Sequence, residues 1–181
     1  MSFWNTSDGE NVAQTATGEY TSQTDMEPLP DKSTVKAMIE KAQWKTAHES
    51  HERYIELTYS VIAPEQYANR KIFQKLWVKD DDPRAKDPAK KRDGALKMLG
   101  NIDSLAGGRL ARNAAEPTDD DLALALTNKQ LVITVKVWEM GGNSGNWVAG
   151  VAPTTKELHV PDAPAKAAGG PALFDDDDLP F

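Results

Sequence analysis

Residues 33–45 constrain the fold most. Val35, Ala37 and Ile39 alternate with Lys36, Met38 and Glu40; the phase then slips by one residue, and Ala42 and Trp44 alternate with Lys41, Gln43 and Lys45. Alternation with a period of two marks a strand with one buried face. A single extra residue within it is what a β-bulge inserts, and bulges let a long strand bend around a curved sheet.

The segments that follow have the same character. In 52-ERYIELTYSVI-62 the residues Ile55, Leu57, Tyr59 and Val61 share one face, and 69-NRKIFQKLWVK-79 is a third strand beyond the turn 63–69. Three consecutive strands with short links predict an antiparallel meander. The period then changes. Asp87-Pro88 supplies an N-cap and a proline at the first helical position, and Ala95, Leu96 and Leu99 mark a helix expected to end at Gly100. Thr118, followed by Asp119, Asp120 and Asp121, opens a second helix with a capping-box arrangement that leads into Leu122 and Leu126. Strands 130–140 and 146–152 complete the pattern, joined by the glycine-rich turn 141–145. This mainly β order predicts a five-stranded Greek-key barrel of the oligonucleotide/oligosaccharide-binding (OB) type, with a helical insertion between the third and fourth strands. A small sandwich of the same strands is the alternative.

The net charge of −7 over 181 residues hides an asymmetry. Residues 1–31 hold six acids and no Lys or Arg, and residues 157–181 hold six acids against Lys166. The middle, 32–156, keeps 20 basic and 16 acidic residues, a net +4. A mildly basic body between acidic ends is compatible with a polyanionic ligand although the whole-chain sum is not. The expected organisation is an acidic polar arm over 1–31, with Phe3 and Trp4 as its anchor on the body, then an OB domain over 32–152. A flexible Pro/Ala/Gly-rich linker with an acidic tip follows over 153–181. There is no cysteine, which excludes disulfides and thiolate metal sites. The first residues carry neither a basic nor an apolar signal region, and no apolar run approaches a membrane span. The expectation is a soluble, cytoplasmic protein without a membrane partner.

Chemistry concentrates in the third strand. Alternation places Ile72, Gln74, Leu76 and Val78 on one face and Lys71, Phe73, Lys75, Trp77 and Lys79 on the other, with Arg70 at the strand's start. Rings and cations taking turns suit a single nucleic-acid strand: bases stack on rings for roughly 1–3 kcal/mol each, and lysines neutralise phosphates. The competing reading is an ordinary amphipathic strand whose lysines reach outward. Lys136 and Trp138 on the fourth strand, Tyr54 on the second, and Lys36, Lys41 and Lys45 on the first extend the candidate DNA-binding set. Trp44 and Trp147 read as structural, and Lys90, Lys91 and Arg92 as a solvated helix face.

Catalytic patterns are thin. His48 and His51 lie in a turn, Asp80 to Asp82 sit at a strand exit, and Asp119 to Asp121 cap a helix, each with a local structural explanation. No nucleophile elbow, Walker loop or dinucleotide fingerprint occurs. No enzymatic activity, metal or cofactor is expected; a two-metal nuclease built on the acidic runs is the third-ranked reading.

The chain closes on 174-FDDDDLPF-181, where repelling aspartates stay solvated and Pro-Phe adds a rigid apolar knob. Such a peptide suits a hydrophobic pocket rimmed by Lys or Arg. This terminus resembles the acidic tip of bacterial single-stranded DNA-binding proteins, which typically ends Asp-Asp-Asp-Ile-Pro-Phe. Asp176, Asp177, Asp178, Leu179, Pro180 and Phe181 stand at those places, and Asp175 extends the run. The whole is more similar to the single-stranded DNA-binding proteins of bacteriophages, which place an acidic tail behind a divergent OB barrel. The resemblance implies a non-catalytic protein of the host bacterial cytoplasm. It would coat single-stranded DNA and recruit replication, recombination and repair proteins through its tip; the bacterial tetramer does not carry over, and homo-oligomerisation stays open. The rival is an OB-like adaptor of a replication complex. A linker of roughly twenty residues reaches roughly 25 Å, enough for Asp175 to Asp178 to compete with phosphates for Lys71, Lys75 and Lys79.

Overall fold

The computed structural model describes residues 5, 11–15 and 27–161. After α1, a four-residue helical turn over Val12–Thr15, come β1 (Ser33–Thr46), β2 (Arg53–Ala63) and β3 (Lys71–Leu76). Two helices follow, α2 (Pro88–Ala106) and α3 (Asp119–Leu126), then β4 (Gln130–Met140) and β5 (Asn143–Ala152). The protein is mainly β: the five strands form one antiparallel sheet in the order β3-β2-β1-β4-β5.

β1 organises the sheet because it is long enough to pair on both sides. Its first half pairs with β4 and almost its whole length with β2. The β1–β2 register slips between Ile39 and Lys41, leaving Glu40 as the extra residue at the point where the sequence alternation changes phase. Further slips follow Lys36 in β1–β2 and Thr134 in β4–β5. The sheet curls until its edge strands β3 and β5 lie near each other with α2 against both. Among the described residues no ladder joins those two edges.

The concave side holds the core. Val35, Ala37 and Ile39 meet Ile55, Leu57, Tyr59, Leu131, Ile133 and Val135, closed by Ile102 from α2 and Leu122 and Leu126 from α3. Each such aliphatic side chain contributes about 1.5–3 kcal/mol by leaving water. The buried Tyr59 hydroxyl donates to Gln74 Oε1 at 2.8 Å, and burial pushes the phenol far above its ordinary pKa.

Both helices start as the sequence predicts, but α2 ends later. Asp87 accepts from the Lys90 N–H at 3.0 Å with Pro88 in the first turn, and the helix passes Gly100 to stop at Gly107, whose φ of 113° is left-handed. Burial of Ile102 and partial burial of Leu105 beyond Gly100 outweigh the ~1 kcal/mol that a helical glycine costs. In α3, the Thr118 hydroxyl accepts from the Asp121 N–H at 3.2 Å, while the Thr118 N–H donates to the Asp121 carboxylate at 2.9 Å. The backbone bond from Thr118, then its hydroxyl, holds the Asp121 carboxyl below the usual aspartate range. A depressed carboxylate stabilises fully above its unfolded value, about pH 4, and that contribution is lost as pH falls through the lower folded value. Two results are expected: Thr118→Ala costs about 1 kcal/mol in denaturant unfolding, and it moves the Asp121 NMR titration only part of the way back, because the backbone N–H of residue 118 still donates to the carboxylate.

The body extends beyond 32–152 at both ends. Leu29 is 1% exposed within the core, and Asn146 clasps its backbone, accepting from the Leu29 N–H at 2.7 Å and donating to its carbonyl at 3.0 Å. Asp31 accepts from the Val137 N–H at 2.9 Å. At the other end His159 and Thr34 exchange backbone hydrogen bonds of 2.6 and 3.1 Å. No helix among the described residues is long and apolar enough to cross a membrane.

Candidate functional site

The convex face of β1, β2 and β3 gathers much of the candidate set. Antiparallel pairing aligns its side chains in rows across the strands. One row is Lys41, Thr58 and Phe73; the next is Gln43, Glu56 and Lys75. Tyr54 lies opposite Lys45. Ser60 lies opposite both Met38 and Lys71. Phe73 is 55% exposed, an unusual position for a phenylalanine, with Lys41 in its own row and Lys71 and Lys75 two residues away on either side.

Electrostatics within this face are mixed. Lys71 pairs with Glu40 and lies 3.3 Å from Ser60 Oγ, and Lys45 is 3.8 Å from Glu56. Lys75 Nζ stands 5.3 Å from the Tyr54 ring centre. Burial, then the nearby Glu56 charge, raises the Tyr54 pKa. Among the described residues Lys41 forms no ion pair.

Trp77 departs from the expected pattern. β3 ends at Leu76 rather than Lys79, so strand alternation no longer governs position 77. The side chain is 6% exposed, its ring 4.9 Å from that of Tyr54 at an interplanar angle of 44°. Tyr54 is itself only 8% exposed, so the two rings cover each other outside the core cluster and neither is the open platform that the sequence predicts. Lys79, also past the strand, lies 2.6 Å from Glu116, which Arg53 approaches at 3.1 Å. The Lys79 hydrogen bond leads in holding the Glu116 carboxyl below its usual range.

Three other candidates lie apart from Phe73. Lys36 is half-buried opposite Ala63 and Val132, toward the other end of β1. Arg70 donates to the Glu27 carbonyl, its guanidinium 5.8 Å from the Tyr67 ring centre. Trp138 lies across from Gly145, and a Cβ on that glycine would sit 2.8 Å from the indole. The tip residues Asp175, Asp176, Asp177, Asp178, Leu179, Pro180 and Phe181 lie outside the described residues, as do Phe3 and Trp4.

Trp147 is the residue that sequence reasoning misplaced. Gly141 and Gly142, at φ 58° and 82°, make a two-residue turn instead of the expected loop 141–145. That turn sets Lys136 opposite Trp147, with the Lys136 ammonium 5.6 Å from the ring centre. Trp147 therefore stands on the convex side and lines a groove of about 700 Å³ with Phe73 and Lys75 of β3 and one side of α2. Reading Gly-Gly as a two-residue hairpin turn would have given this pairing. Trp44, by contrast, packs partly buried against the core and donates its indole N–H to the Pro117 carbonyl at 2.8 Å.

The acidic runs point in separate directions. Asp80 accepts from the Arg53 N–H at 2.6 Å, Asp81 pairs with Arg92, and Asp82 lies 2.8 Å from Lys91. The last pair is mostly buried, so Lys91 is not part of a solvated helix face. Asp119 accepts from the Trp44 N–H at 2.7 Å. Among the described residues no group of three His, Asp or Glu is arranged to hold a metal ion.

A family model described as "Protein of unknown function (DUF669)" matches residues 19–164. No curated protein matches the chain.

Proposed function

We propose that this chain, which belongs to the DUF669 family, is a non-catalytic protein that binds single-stranded DNA on an OB-type barrel. The observation that carries this reading is Phe73, an exposed ring with Lys41, Lys71 and Lys75 around it on the convex face of the first three strands. The nearness of β3 and β5 supports the OB reading, because closing the sheet there would give the order 1-2-3-5-4, and OB folds bind oligonucleotides on the face of strands 2 and 3. Bases would stack on Phe73 while phosphates run past the lysines, with little sequence preference. The terminus at 175–181 would recruit replication, recombination or repair proteins, as its resemblance to the single-stranded DNA-binding tip implies.

The glutamates on this face make the electrostatics an exchange. A phosphate arriving at Lys71 or Lys45 displaces Glu40 or Glu56, each a partly exposed pair worth only about 0–1 kcal/mol. Glu40→Gln is therefore expected to tighten binding, roughly two- to fivefold, in a fluorescence titration at low salt.

The test is intrinsic tryptophan quenching on titration with oligo-dT and with duplex DNA at two salt concentrations. Lys41, Lys45, Lys71 and Lys75 meeting phosphates predict a log–log salt slope of about −3 for the single strand, with the duplex bound more weakly. Absence of oligo-dT binding at low salt removes this reading, and selective capture of a peptide would favour the adaptor alternative.

A further inference from the structure

We propose that the groove between β3, α2 and β5 is a second contact site for the bound strand, taking one unstacked base between Trp147 and the backbone of α2 at Gly94. The inference rests on the single-stranded DNA reading above and extends the strand's path off the sheet. Phe73 and Lys75 belong both to the convex face and to the groove wall, so the two surfaces are continuous.

Gly94 gives the first argument. It lies within α2, where glycine is less favourable than alanine. Neither of the usual reasons for a glycine applies: its φ is not in the left-handed range, and an added Cβ would meet no neighbouring element within 4 Å. Gly100 is equally unhindered but does not line the groove. At Gly94 the missing side chain leaves the helix backbone open to the groove, and close approach of a ligand to backbone is a use of glycine.

Trp147 gives the second. Trp44 is fixed by its indole hydrogen bond to Pro117, whereas the Trp147 indole N–H is buried without an acceptor among the described residues. No hydrogen bond therefore fixes the orientation of the Trp147 ring. It lines the groove opposite α2 with the Lys136 ammonium nearby, a cation placed for the phosphate of a base stacked there. The walls carry Lys75, Lys90, Lys91 and Lys97 against Asp87 and Asp93, a positive balance. A flat ring on an anionic backbone matches the Trp147 ring and the neighbouring lysines, and a nucleotide has that chemistry.

The experiment uses the full chain, oligo-dT, and the variants Gly94→Leu, Trp147→Ala and Phe73→Ala, with thermal midpoints measured alongside. Gly94→Leu is expected to weaken binding roughly fivefold to tenfold without lowering the midpoint, because leucine is the better helix former and nothing stands within 4 Å of its Cβ. Trp147→Ala is expected to weaken binding to a similar extent. If wild type binds, Phe73→Ala binds weakly and both groove variants bind like wild type, the groove inference is overturned and the face reading stands. If wild type does not bind oligo-dT, both fall. Should Trp147→Ala fold poorly, Gly94→Leu alone decides.

Discussion

On the proposed reading, Phe73→Ala is expected to lower the affinity for oligo-dT roughly fivefold to hundredfold, the loss of one stacked base. The thermal midpoint barely changes, because a ring that is 55% exposed and outside the core cluster contributes little to folding. Trp77→Ala gives the opposite pattern. That side chain is 6% exposed and packed at a tilt against Tyr54, so its removal is expected to cost about 3–5 kcal/mol of stability before any effect on binding is read. Lys41→Ala adds a third signature: a modest loss at low salt and a salt slope shallower by about 0.7. Fluorescence titration for binding and thermal denaturation for folding separate these outcomes. Equal affinity for wild type and Phe73→Ala would mean that the exposed ring contacts no base.

Asp103→Ala is expected to destabilise the fold by about 2–4 kcal/mol. Asp103 is 2% exposed, and its carboxylate accepts from the Leu110 and Ala111 N–H groups, each at 2.9 Å. Its backbone carbonyl accepts from Gly108 at 2.7 Å. One residue thus fastens the end of α2 to the 3-10 turn Leu110–Arg112, from which the chain reaches Glu116 and Pro117 and their contacts with Arg53, Lys79 and Trp44. Alanine leaves two N–H groups without an acceptor. Asparagine keeps one acceptor oxygen but turns an NH₂ toward the other N–H, so its loss is smaller. Urea unfolding should show a lower midpoint with an unchanged slope, the mark of altered stability rather than altered compactness. A stability loss under 1 kcal/mol would mean that water replaces the carboxylate at this turn.

Much of the strand architecture was legible because alternation is a local signal. The phase change at Glu40 and Lys41 coincides with the register slip, and Lys71, Phe73 and Lys75 point outward while Ile72, Gln74 and Leu76 point in. The errors arise where tertiary contacts decide. Trp77 is covered although it stays outside the core cluster, because the Tyr54 ring packs against it. α2 outran Gly100 because Ile102 had a core to enter. Leu29, between two prolines in a polar segment, gave no periodic pattern, and its burial depends on Asn146, 117 residues away. For the candidate site, the sequence placed Phe73 and its lysines on one face but missed that Trp147 lines the adjoining groove. That fact needed the hairpin register, which two glycines set.

Lysine-reactive footprinting of the full chain, with and without saturating oligo-dT, tests the central claim most directly. Lys41, Lys71 and Lys75 are predicted to lose reactivity on binding, while Lys156, beyond the end of β5, keeps its own. Unchanged reactivity of those three lysines under saturating oligo-dT, or equal protection of Lys156, would contradict a binding surface centred on Phe73.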